Sequence, residues 1–233
     1  MKKIISVAAL ICLFVCFSNA ENFYANGSAD TKKVALTFDD GPGKATEKVL
    51  EILKEKNVRA TFFMLGVRVE NDIEMAKKVV ADGHEIGDHT YRHVNLYSYK
   101  KNNYITSEIE KEILASKKVI KDRLGIDTKL MRFPYGYSKP SALKVAQKFG
   151  YYVINWSFGM DWENVPAQQM HEKYKQAIKN GAIFLMHDLP KNERVLSFLG
   201  DLIDEIRAEG YDIVTVSELL NLKQNEDISL DLE

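Results

Sequence analysis

The sequence predicts one α/β domain built on a parallel β-sheet. Short runs rich in Val, Ile, Phe and Tyr alternate with amphipathic segments about seven times along the chain, which is the pattern of strands joined by helices. The strand runs are mostly apolar, as expected where both faces of a sheet are buried. The 233 residues contain no internal repeat and no linker rich in Pro or Gly, so we expect a single domain. Closed into a barrel or left open, such a sheet carries its site at the carboxyl ends of its strands.

Each predicted strand is a short apolar run, and each predicted helix is an amphipathic one. Strands are expected over 34–37, 58–64, 85–87, 129–133, 151–155, 182–186 and 212–216. The segment 44–56 has three apolar residues on one helical face. Two further helices are expected to end at Gly125 and Gly210, since glycine commonly terminates a helix.

The first twenty residues have the pattern of a signal peptide. Two lysines precede an apolar run over 4–17, which is too short to span a bilayer comfortably, and small residues follow at 18–20. We therefore expect export to the periplasm, the extracellular space or the cell wall, with an uncleaved anchor as the alternative. Both cysteines, Cys12 and Cys16, lie inside the segment 1–20, so the cleaved chain would contain neither disulfides nor a reactive thiolate.

Two polar segments flank the expected domain, which spans 32–222. Residues 21–31 are interpreted as a loose lead-in, and residues 223–233 as an acidic, solvated tail. The formal net charge is −1 and the pI is about 6.5. No basic stripe is present, which argues against a nucleic-acid partner. No stable membrane insertion is expected after cleavage, and a monomer is expected.

Chemistry-bearing residues follow several of the predicted strands. The stretch "TFDDGP" brings Asp39 and Asp40 to the end of the first strand, and "HTYRH" follows the third. The stretches "RFPYG" and "LMHD" lie at the ends of the fourth and sixth. Because the carboxyl ends of parallel strands meet at one edge of a sheet, these distant segments can form one site.

His89 and His93 have the spacing of two metal ligands. On a helical turn, residues four apart share one face, so both imidazoles could reach the same ion. One added carboxylate would complete a His₂–Asp set with positions left open for water. That set suits zinc or another first-row divalent ion.

Five ordered motifs, "TFDDGP", "HTYRH", "RFPYG", "MDW" and "LMHD", strongly resemble those of the polysaccharide deacetylases of carbohydrate esterase family 4, the NodB-homology domain. The resemblance covers nearly the whole chain after the signal segment. It implies a distorted (β/α) barrel, which agrees with about seven parallel strands. It also implies a metal-dependent hydrolase that removes acetyl groups, usually from N-acetylglucosamine units of peptidoglycan, chitin or related polymers, and sometimes from acetylated xylan.

The resemblance implies a metal site and a base. Asp40, His89 and His93 would bind one divalent ion, with Zn²⁺ expected first and Co²⁺, Ni²⁺ or Mn²⁺ as alternatives. Asp39 would be the general base and Arg132 would pair with it. Two neighbouring carboxylates at one strand end would then each have a cation of their own.

The resemblance also implies an acid and a substrate pocket. His187 would be the general acid, Asp161 would bond to it, and Arg59 would tether Asp161. The substrate contacts would be the backbone N–H of Tyr135, which would help bind the oxyanion, and the side chains of Trp162 and Leu185, which would wall the acetyl pocket. The chemistry is consistent, because an amide needs both an activated water and a proton for the leaving nitrogen.

Two residues depart from the common family pattern. Phe158 stands where many relatives have an aspartate, which affects substrate contacts more than chemistry. Asp88 stands where Asn is commoner, and it could either strengthen metal binding or cap the turn.

The sequence thus predicts an exported, metal-dependent N-deacetylase that acts on peptidoglycan. A chitooligosaccharide deacetylase or a xylan O-acetyl esterase would need the same residues. A cyclic amide or imide hydrolase on a related fold is disfavoured by the signal segment. An inactive carbohydrate-binding module would be expected to lack part of the catalytic set, whereas none of the base, metal or acid positions is substituted.

Overall fold

The computed structural model describes residues 22–98 and 102–222, without the side chains of residues 102–105. The predictions of a signal peptide over 1–20 and of a solvated tail over 223–233 lie outside the described residues. The rest of the chain forms one domain, in which a curled sheet is surrounded by helices.

The sheet is parallel throughout and curls into a half-barrel. Its strands are β1 (Phe23–Tyr24), β2 (Lys33–Asp39), β3 (Thr61–Met64), β4 (Glu85–Asp88), β5 (Leu130–Met131), β6 (Tyr152–Ile154), β7 (Phe158–Gly159), β8 (Ile183–His187) and β9 (Asp212–Ile213). Eight of them follow the order β1-β6-β5-β4-β3-β2-β8-β7, and β9 pairs with the start of β2. The expected α/β barrel of parallel strands is confirmed, with two short strands, β1 and β7, that the apolar pattern did not predict.

Helices connect the strands and cover the outer face of the sheet. They are α1 (Thr46–Glu55), α2 (Gly66–Asn71), α3 (Ile73–Ala81), α4 (Asn102–Leu124), α5 (Pro140–Lys148), α6 (Ala167–Gln176), α7 (Leu199–Ala208) and α8 (Val216–Leu220). Across the described ranges, no helix combines the length and the apolar character that a membrane crossing requires. The largest apolar cluster lies between the sheet and this outer layer, where Leu53 of α1 and Leu202 of α7 are fully buried with Phe62 of β3.

Helix α8 lies at the amino end of the barrel. Thr215 and Glu218 form a reciprocal capping box that starts the helix. Val216 and Leu219 are buried in a second cluster with residues of the inner sheet face, including Phe63. The opposite, carboxyl end of the barrel is therefore the end left for a site.

The lead-in over 21–31 is not loose where it is described. Phe23 and Tyr24 form β1, which pairs with Val153 and Ile154 of β6 at the edge of the sheet. Because an isolated dipeptide is too short to show a strand period, only its two aromatic residues hinted at this role.

Candidate metal centre and active site

The sheet register brings three of the motifs to one edge. Asp39, the last residue of β2, is level with His187 at the end of β8. Met64 at the end of β3 is level with Asp88, which immediately precedes His89. Residues predicted from segments about 150 positions apart, namely Asp39 and His187, therefore share one strand edge.

Asp40, His89 and His93 converge as one potential metal site. Asp40 Oδ1 lies 3.2 Å from His93 Nε2 and 3.4 Å from His89 Nε2, and the three ligand atoms lie within 4.8 Å of one another. Asp40 Oδ1 is buried, and it accepts no hydrogen bond from the described residues. His89 Nδ1 hydrogen-bonds the carbonyl oxygen of Arg132 at 2.7 Å, which leaves Nε2 to coordinate an ion. The donor set and the unpartnered oxygen fit one divalent cation of the zinc type.

The spacing of the two histidines suggested a helical turn, but residues 89–93 form no helix in the structure. The chain after β4 is an irregular loop in which Thr90 has φ +70° and His93 has φ +60°. Asp40 also has a left-handed backbone, with φ +73°. The ligands meet because these positive φ values redirect the chain at the strand ends.

Asp40 is held in its charged form by the two imidazoles. Its burial raises the pKa of the carboxyl, but the close imidazole of His89, 3.4 Å away, and the charge of His93 lower that pKa well below its usual range. The carboxylate is therefore ready to bind a cation near neutral pH.

Arg132 and Asp39 form a buried ion pair beside the metal site. Arg132 Nη1 donates to Asp39 Oδ1 at 2.6 Å, and the arginine side chain is fully buried. The other carboxylate oxygen, Asp39 Oδ2, lies 3.7 Å from His89 Nε2. Asp39 thus faces the metal site with Oδ2, while the Arg132 guanidinium holds Oδ1.

Three further contacts fix the Arg132 guanidinium, and the motifs gave no sign of them. Nη1 donates to Thr37 Oγ1 at 2.8 Å, Nε to the carbonyl oxygen of Ile154 at 3.0 Å, and Nη2 to that of Asn155 at 3.1 Å. Thr37 precedes Asp39 by two residues on the same strand, so both side chains point to one face. That alternation was a usable signal for Thr37, whereas the two carbonyl groups depend on the curl of the sheet.

His187 and Asp161 form the second polar pair of the site. His187 Nδ1 hydrogen-bonds Asp161 Oδ1 at 2.8 Å, and the His187 backbone N–H donates to Asp161 Oδ2 at 2.7 Å. Burial lowers the pKa of His187, but the hydrogen bond and charge of Asp161 and the charges of Asp39 and Asp40 outweigh it and raise that pKa above its usual value. The imidazolium form therefore persists to a higher pH than that of an ordinary histidine.

The predicted substrate residues lie around these two pairs. The Tyr135 ring meets the His93 ring at 4.8 Å between centroids, and the Trp162 ring meets the His187 ring at 6.0 Å. Leu185 is buried, and a Cβ at Gly159 would lie 2.8 Å from the Leu185 Cβ, so only glycine leaves this space open. Tyr135 and Trp162 are about half exposed, at 57% and 48%, so both rings are accessible from solvent.

The backbone N–H of Tyr135 lies in a tight turn and is left without an acceptor in the described part of the chain. Tyr135 has φ +58° in the short 3₁₀ turn Pro134–Gly136. The N–H groups of Gly136 and Tyr137 bond back into that turn, while the N–H of Tyr135 donates to no acceptor among the described residues. It remains available to a negatively charged oxygen.

The predicted tether between Arg59 and Asp161 is wrong. Arg59 precedes β3 and lies at the amino end of the parallel strands, whereas Asp161 follows β7 at the carboxyl end. Arg59 pairs with Glu218 of α8 instead. Asn192 Nδ2 donates to the backbone oxygen of Asp161 at 3.2 Å, which supports this loop from the 3₁₀ segment Pro190–Ser197. The position of Arg59 at the start of its own predicted strand was the signal against the tether.

The two departures from the family pattern do not enter the chemistry directly. Asp88 Oδ2 accepts from the Tyr151 hydroxyl at 2.7 Å, and Oδ1 accepts from the Thr90 N–H at 2.8 Å. Asp88 therefore caps the turn that contains His89, the second of the two roles considered for it. Phe158 lies in β7 and packs edge-on against Tyr174 at 5.0 Å between ring centroids.

Asp188 lies beneath the turn that carries the two aspartates. It is fully buried, and it accepts a short hydrogen bond from Thr46 Oγ1, which in turn accepts from the N–H of Gly43 at 2.7 Å. A Cβ on Gly41 would overlap the Asp188 carboxylate, so glycine is required there. Burial raises the pKa of Asp188 to about 7, and the charges of Asp40 and Asp39 act in the same direction.

Comparison with known proteins identifies the family. The profile of the polysaccharide deacetylase family matches residues 26–154. A peptidoglycan-N-acetylglucosamine deacetylase of Bacillus cereus is 36% identical over 198 residues, which cover 82% of this chain and 90% of that protein. The peptidoglycan-N-acetylglucosamine deacetylase PgdA of Listeria monocytogenes is 35% identical over 194 residues, which cover 82% of this chain but 40% of that longer protein.

Two solved structures have the same fold as most of this chain. The Bc1960 peptidoglycan N-acetylglucosamine deacetylase, in complex with 4-naphthalen-1-yl-N-oxidanyl-benzamide, superimposes with a TM-score of 0.81 at 28% identity, over 88% of this chain and 95% of that one. BA3943, a CE4 family pseudoenzyme from Bacillus anthracis, gives a TM-score of 0.76 at 26% identity, over 84% of this chain and 67% of that one. The profile match, the Bacillus cereus relative and the shared fold together establish that this chain belongs to the polysaccharide deacetylase family, the hydrolases of carbohydrate esterase family 4.

Proposed function

We propose that this enzyme removes N-acetyl groups from N-acetylglucosamine units of peptidoglycan, with Asp39 as general base and His187 as general acid. The observation that carries the proposal is the arrangement of two polar pairs around one metal-binding triad. Asp39 and His187 are level with each other on neighbouring strands, Arg132 and Asp161 are their respective partners, and Asp40 of the metal-binding triad follows Asp39 directly. Hydrolysis of an amide needs a base for the water and an acid for the leaving nitrogen, and the two pairs supply these groups separately.

The metal would be held by Asp40 and by the Nε2 atoms of His89 and His93. When bound, it would lower the pKa of a water molecule and polarise the acetyl carbonyl. Zinc is proposed first because two imidazoles and one carboxylate are its common ligand set in catalytic sites, and Co²⁺, Ni²⁺ or Mn²⁺ remain alternatives.

Asp39 is proposed to take the proton from the attacking water. Its Oδ2 lies 3.7 Å from His89 Nε2 and so faces the space in front of the metal ligands. Arg132 holds Oδ1 and donates to three further acceptors, so the carboxylate keeps one orientation. The unpaired N–H of Tyr135 is proposed to stabilise the oxyanion that forms at the carbonyl oxygen.

His187 is proposed to donate the proton to the departing amine. Its Nδ1 is engaged by Asp161, which leaves Nε2 for the substrate. The raised pKa of His187 supports a protonated ring near neutral pH. Trp162 and Leu185 would enclose the acetyl methyl group, since both side chains border the space beside Gly159 and the Trp162 ring meets the His187 ring. Neither the base nor the acid requires a covalent intermediate.

Peptidoglycan is proposed as the substrate because curated relatives over most of this chain carry that name. Action in the cell wall would require export, which the pattern over 1–20 predicts. A monomer is proposed. A xylan O-acetyl esterase is the second candidate, because a bifunctional xylanase/deacetylase of Pseudobutyrivibrio xylanivorans is 34% identical over 208 residues. A chitooligosaccharide deacetylase would use the same groups.

Acetate release tests the reaction. Zinc-loaded enzyme is incubated with peptidoglycan, chitooligosaccharides and acetylated xylan, and acetate is measured with and without a chelator. We expect release from peptidoglycan that a chelator abolishes and that added Zn²⁺ or Co²⁺ restores. Absence of release from every acetylated glycan with either metal would rule out the enzyme function.

Two variants separate the roles of the adjacent aspartates and the histidines. Asp39→Asn is expected to reduce turnover by about 10²–10⁴-fold while the bound metal, measured by elemental analysis, is retained. His89→Ala is expected to lose both the bound metal and the turnover. If Asp39→Asn loses the metal instead, the roles of Asp39 and Asp40 are exchanged.

A further inference from the structure

A cationic groove opens beside the metal site. It has a volume of about 420 Å³ and lies between the turn after β2 and helix α2, with Pro42, Gly43, Lys44, Arg68 and Asp72 among its walls. We call it the Arg68 groove. The proposed mechanism uses none of its residues.

The Arg68 groove lies about one sugar unit from the metal ligands. Pro42 is two residues from Asp40, so their Cα atoms are separated by less than about 8 Å. On the other wall, the N–H of Gly66, at the start of α2, donates to the carbonyl oxygen of Thr90 at 3.0 Å, and Thr90 follows His89 directly. One wall of the groove thus continues the turn that carries Asp40, and the helix of the other wall is hydrogen-bonded to the loop that carries His89.

The two cations of the groove have no partner in the described parts of the chain. Neither the Arg68 guanidinium nor the Lys44 ammonium makes an ion pair or a hydrogen bond with a described residue. The one acid of the groove, Asp72, is engaged by the N–H of Met75 at 3.2 Å. Lys78 of α3, by contrast, pairs with Glu47.

Arg68 is suited to a carboxylate ligand. It is partly buried, and its Nη1 would lie 3.8 Å from a Cβ on Gly43, so the guanidinium lies along the groove wall instead of extending into solvent. A guanidinium binds a carboxylate through two parallel N–H donors, and partial burial strengthens such a pair. The groove has a net positive lining in a chain whose net charge is −1.

We propose that the Arg68 groove binds a carboxylate on the sugar next to the acetylated one, and so selects acidic glycans over neutral ones. In peptidoglycan that neighbour carries a lactyl ether, which is a free carboxylate or bears a peptide with carboxylates of its own. Chitin and acetylated xylan backbones offer no such group. The inference rests on the proposed function and specifies its substrate class.

Equilibrium binding tests the proposal apart from turnover. A tetrasaccharide of alternating N-acetylglucosamine and N-acetylmuramic acid is titrated calorimetrically into zinc-loaded Asp39→Asn protein, which keeps the ligand intact. The same tetrasaccharide with methyl-esterified lactyl groups is the neutral comparison. We expect the acid to bind about tenfold more tightly than the ester, because only the acid offers a charge-assisted hydrogen bond to Arg68. The preference should shrink as salt is raised.

Substitutions at Arg68 and Lys44 then test whether the groove causes the preference for the acid over the ester. Arg68→Gln should bring the acid-to-ester ratio of Kd values close to one, and Lys44→Gln should reduce the preference in part. Lys173→Gln is the matched control, because Lys173 is exposed on α6 and bonds only Gln176. A tetrasaccharide that carries stem peptides separates the two carboxylate sources. Stronger Arg68-dependent binding than to the free acid assigns the groove to a peptide carboxylate, and weaker binding assigns it to the lactyl group.

Equal affinity for acid and ester, or a preference that survives Arg68→Gln, would overturn the proposal. Acetate release by the unsubstituted enzyme from the same oligosaccharides is recorded in parallel. Lack of release would contradict the deacetylase function, while the binding ratios would still decide the role of the groove.

Discussion

At the scale of single residues, the site depends on two buried charged side chains, the carboxylate of Asp161 and the guanidinium of Arg132, which orient the proposed acid and base. Asp161 engages His187 through both the ring and the backbone N–H. Arg132 engages Asp39 and is itself held from three directions. Orientation of the base and of the acid is therefore built into separate parts of the sheet.

Asp161→Asn is expected to move the alkaline limb of the kcat/KM profile to lower pH. The charge and hydrogen bond of Asp161 raise the pKa of His187, so removal of the charge lowers it, and the proton-donating form disappears at a lower pH. A shift of about one pH unit, with a loss of about tenfold or more in kcat, is expected. Rates of acetate release between about pH 5 and pH 10 measure it.

Glu163→Gln is the control for that profile. Glu163 is exposed two residues away, so the same change of charge should leave the alkaline limb in place. An unchanged limb in Asp161→Asn would show that His187 is not the acid.

Arg59→Ala is expected to leave kcat/KM within about twofold of the parent value. Its ion pair with Glu218 is largely exposed and lies at the amino end of the barrel, and such pairs contribute about 0–1 kcal/mol to stability. Acetate release measures kcat/KM, and urea unfolding measures the stability. A tenfold loss of activity in a stably folded variant would restore Arg59 to the site.

At the scale of secondary-structure elements, α8 stabilises the barrel from the end opposite the chemistry. Leu219 is 5% exposed and packs within the inner cluster of the sheet. Space for its side chain depends on Gly27, where a Cβ would lie 2.7 Å from Leu219 Cγ. The short helix thus joins the beginning and the end of the described chain.

Leu219→Ala is expected to lower the free energy of unfolding by about 2–5 kcal/mol, because it leaves a cavity in a packed cluster. Turnover of the folded fraction should change little. Leu114→Ala is the matched control, since Leu114 of α4 is 54% exposed and should contribute less than about 0.5 kcal/mol. Urea titrations of the three proteins measure the difference. Equal effects would mean that α8 does not carry this part of the core.

At the scale of the whole molecule, Asp188 links stability to pH. Its pKa is about 7 in the fold against 3.8 in the unfolded reference, so the folded state keeps a proton that the unfolded state releases between these values. Stability contributed by this group is therefore largest below about pH 4 and declines by about 1.4 kcal/mol per pH unit up to about pH 7. The total is on the order of 4 kcal/mol.

Asp188→Asn should remove this component. In the metal-free protein, the difference in unfolding free energy between Asp188→Asn and the parent should increase in favour of the variant from about pH 4 to pH 7 and then stay level. Urea unfolding across that range measures it. A constant difference would mean that Asp188 is ionised in the fold throughout.

Much of the molecule could be predicted from the sequence, because its determinants are local. The apolar runs gave the parallel strands, and their ends gave the positions of Asp39, His89 and His187. What could not be predicted depends on distant backbone. The acceptors of Arg132 are carbonyl groups of β6 and of the residue after it, and the edge strand β1 exists only because β6 is beside it. The partner of Arg59 likewise depends on the end of the strand that the residue occupies, since Arg59 precedes β3 and pairs with Glu218 of α8.

The left-handed residues have a consequence for how such a chain would evolve. Among the described residues, six non-glycine positions have positive φ, and four of them form the site: Asp40, Thr90, His93 and Tyr135. The other two are asparagines, a residue that tolerates this backbone. Each strained position opposes folding by about 1–2 kcal/mol, and a glycine would relieve it. Selection for stability alone would therefore favour glycine or asparagine at such positions, so a lineage freed from selection for hydrolysis would be expected to drift toward these residues and to become more stable as it became inert.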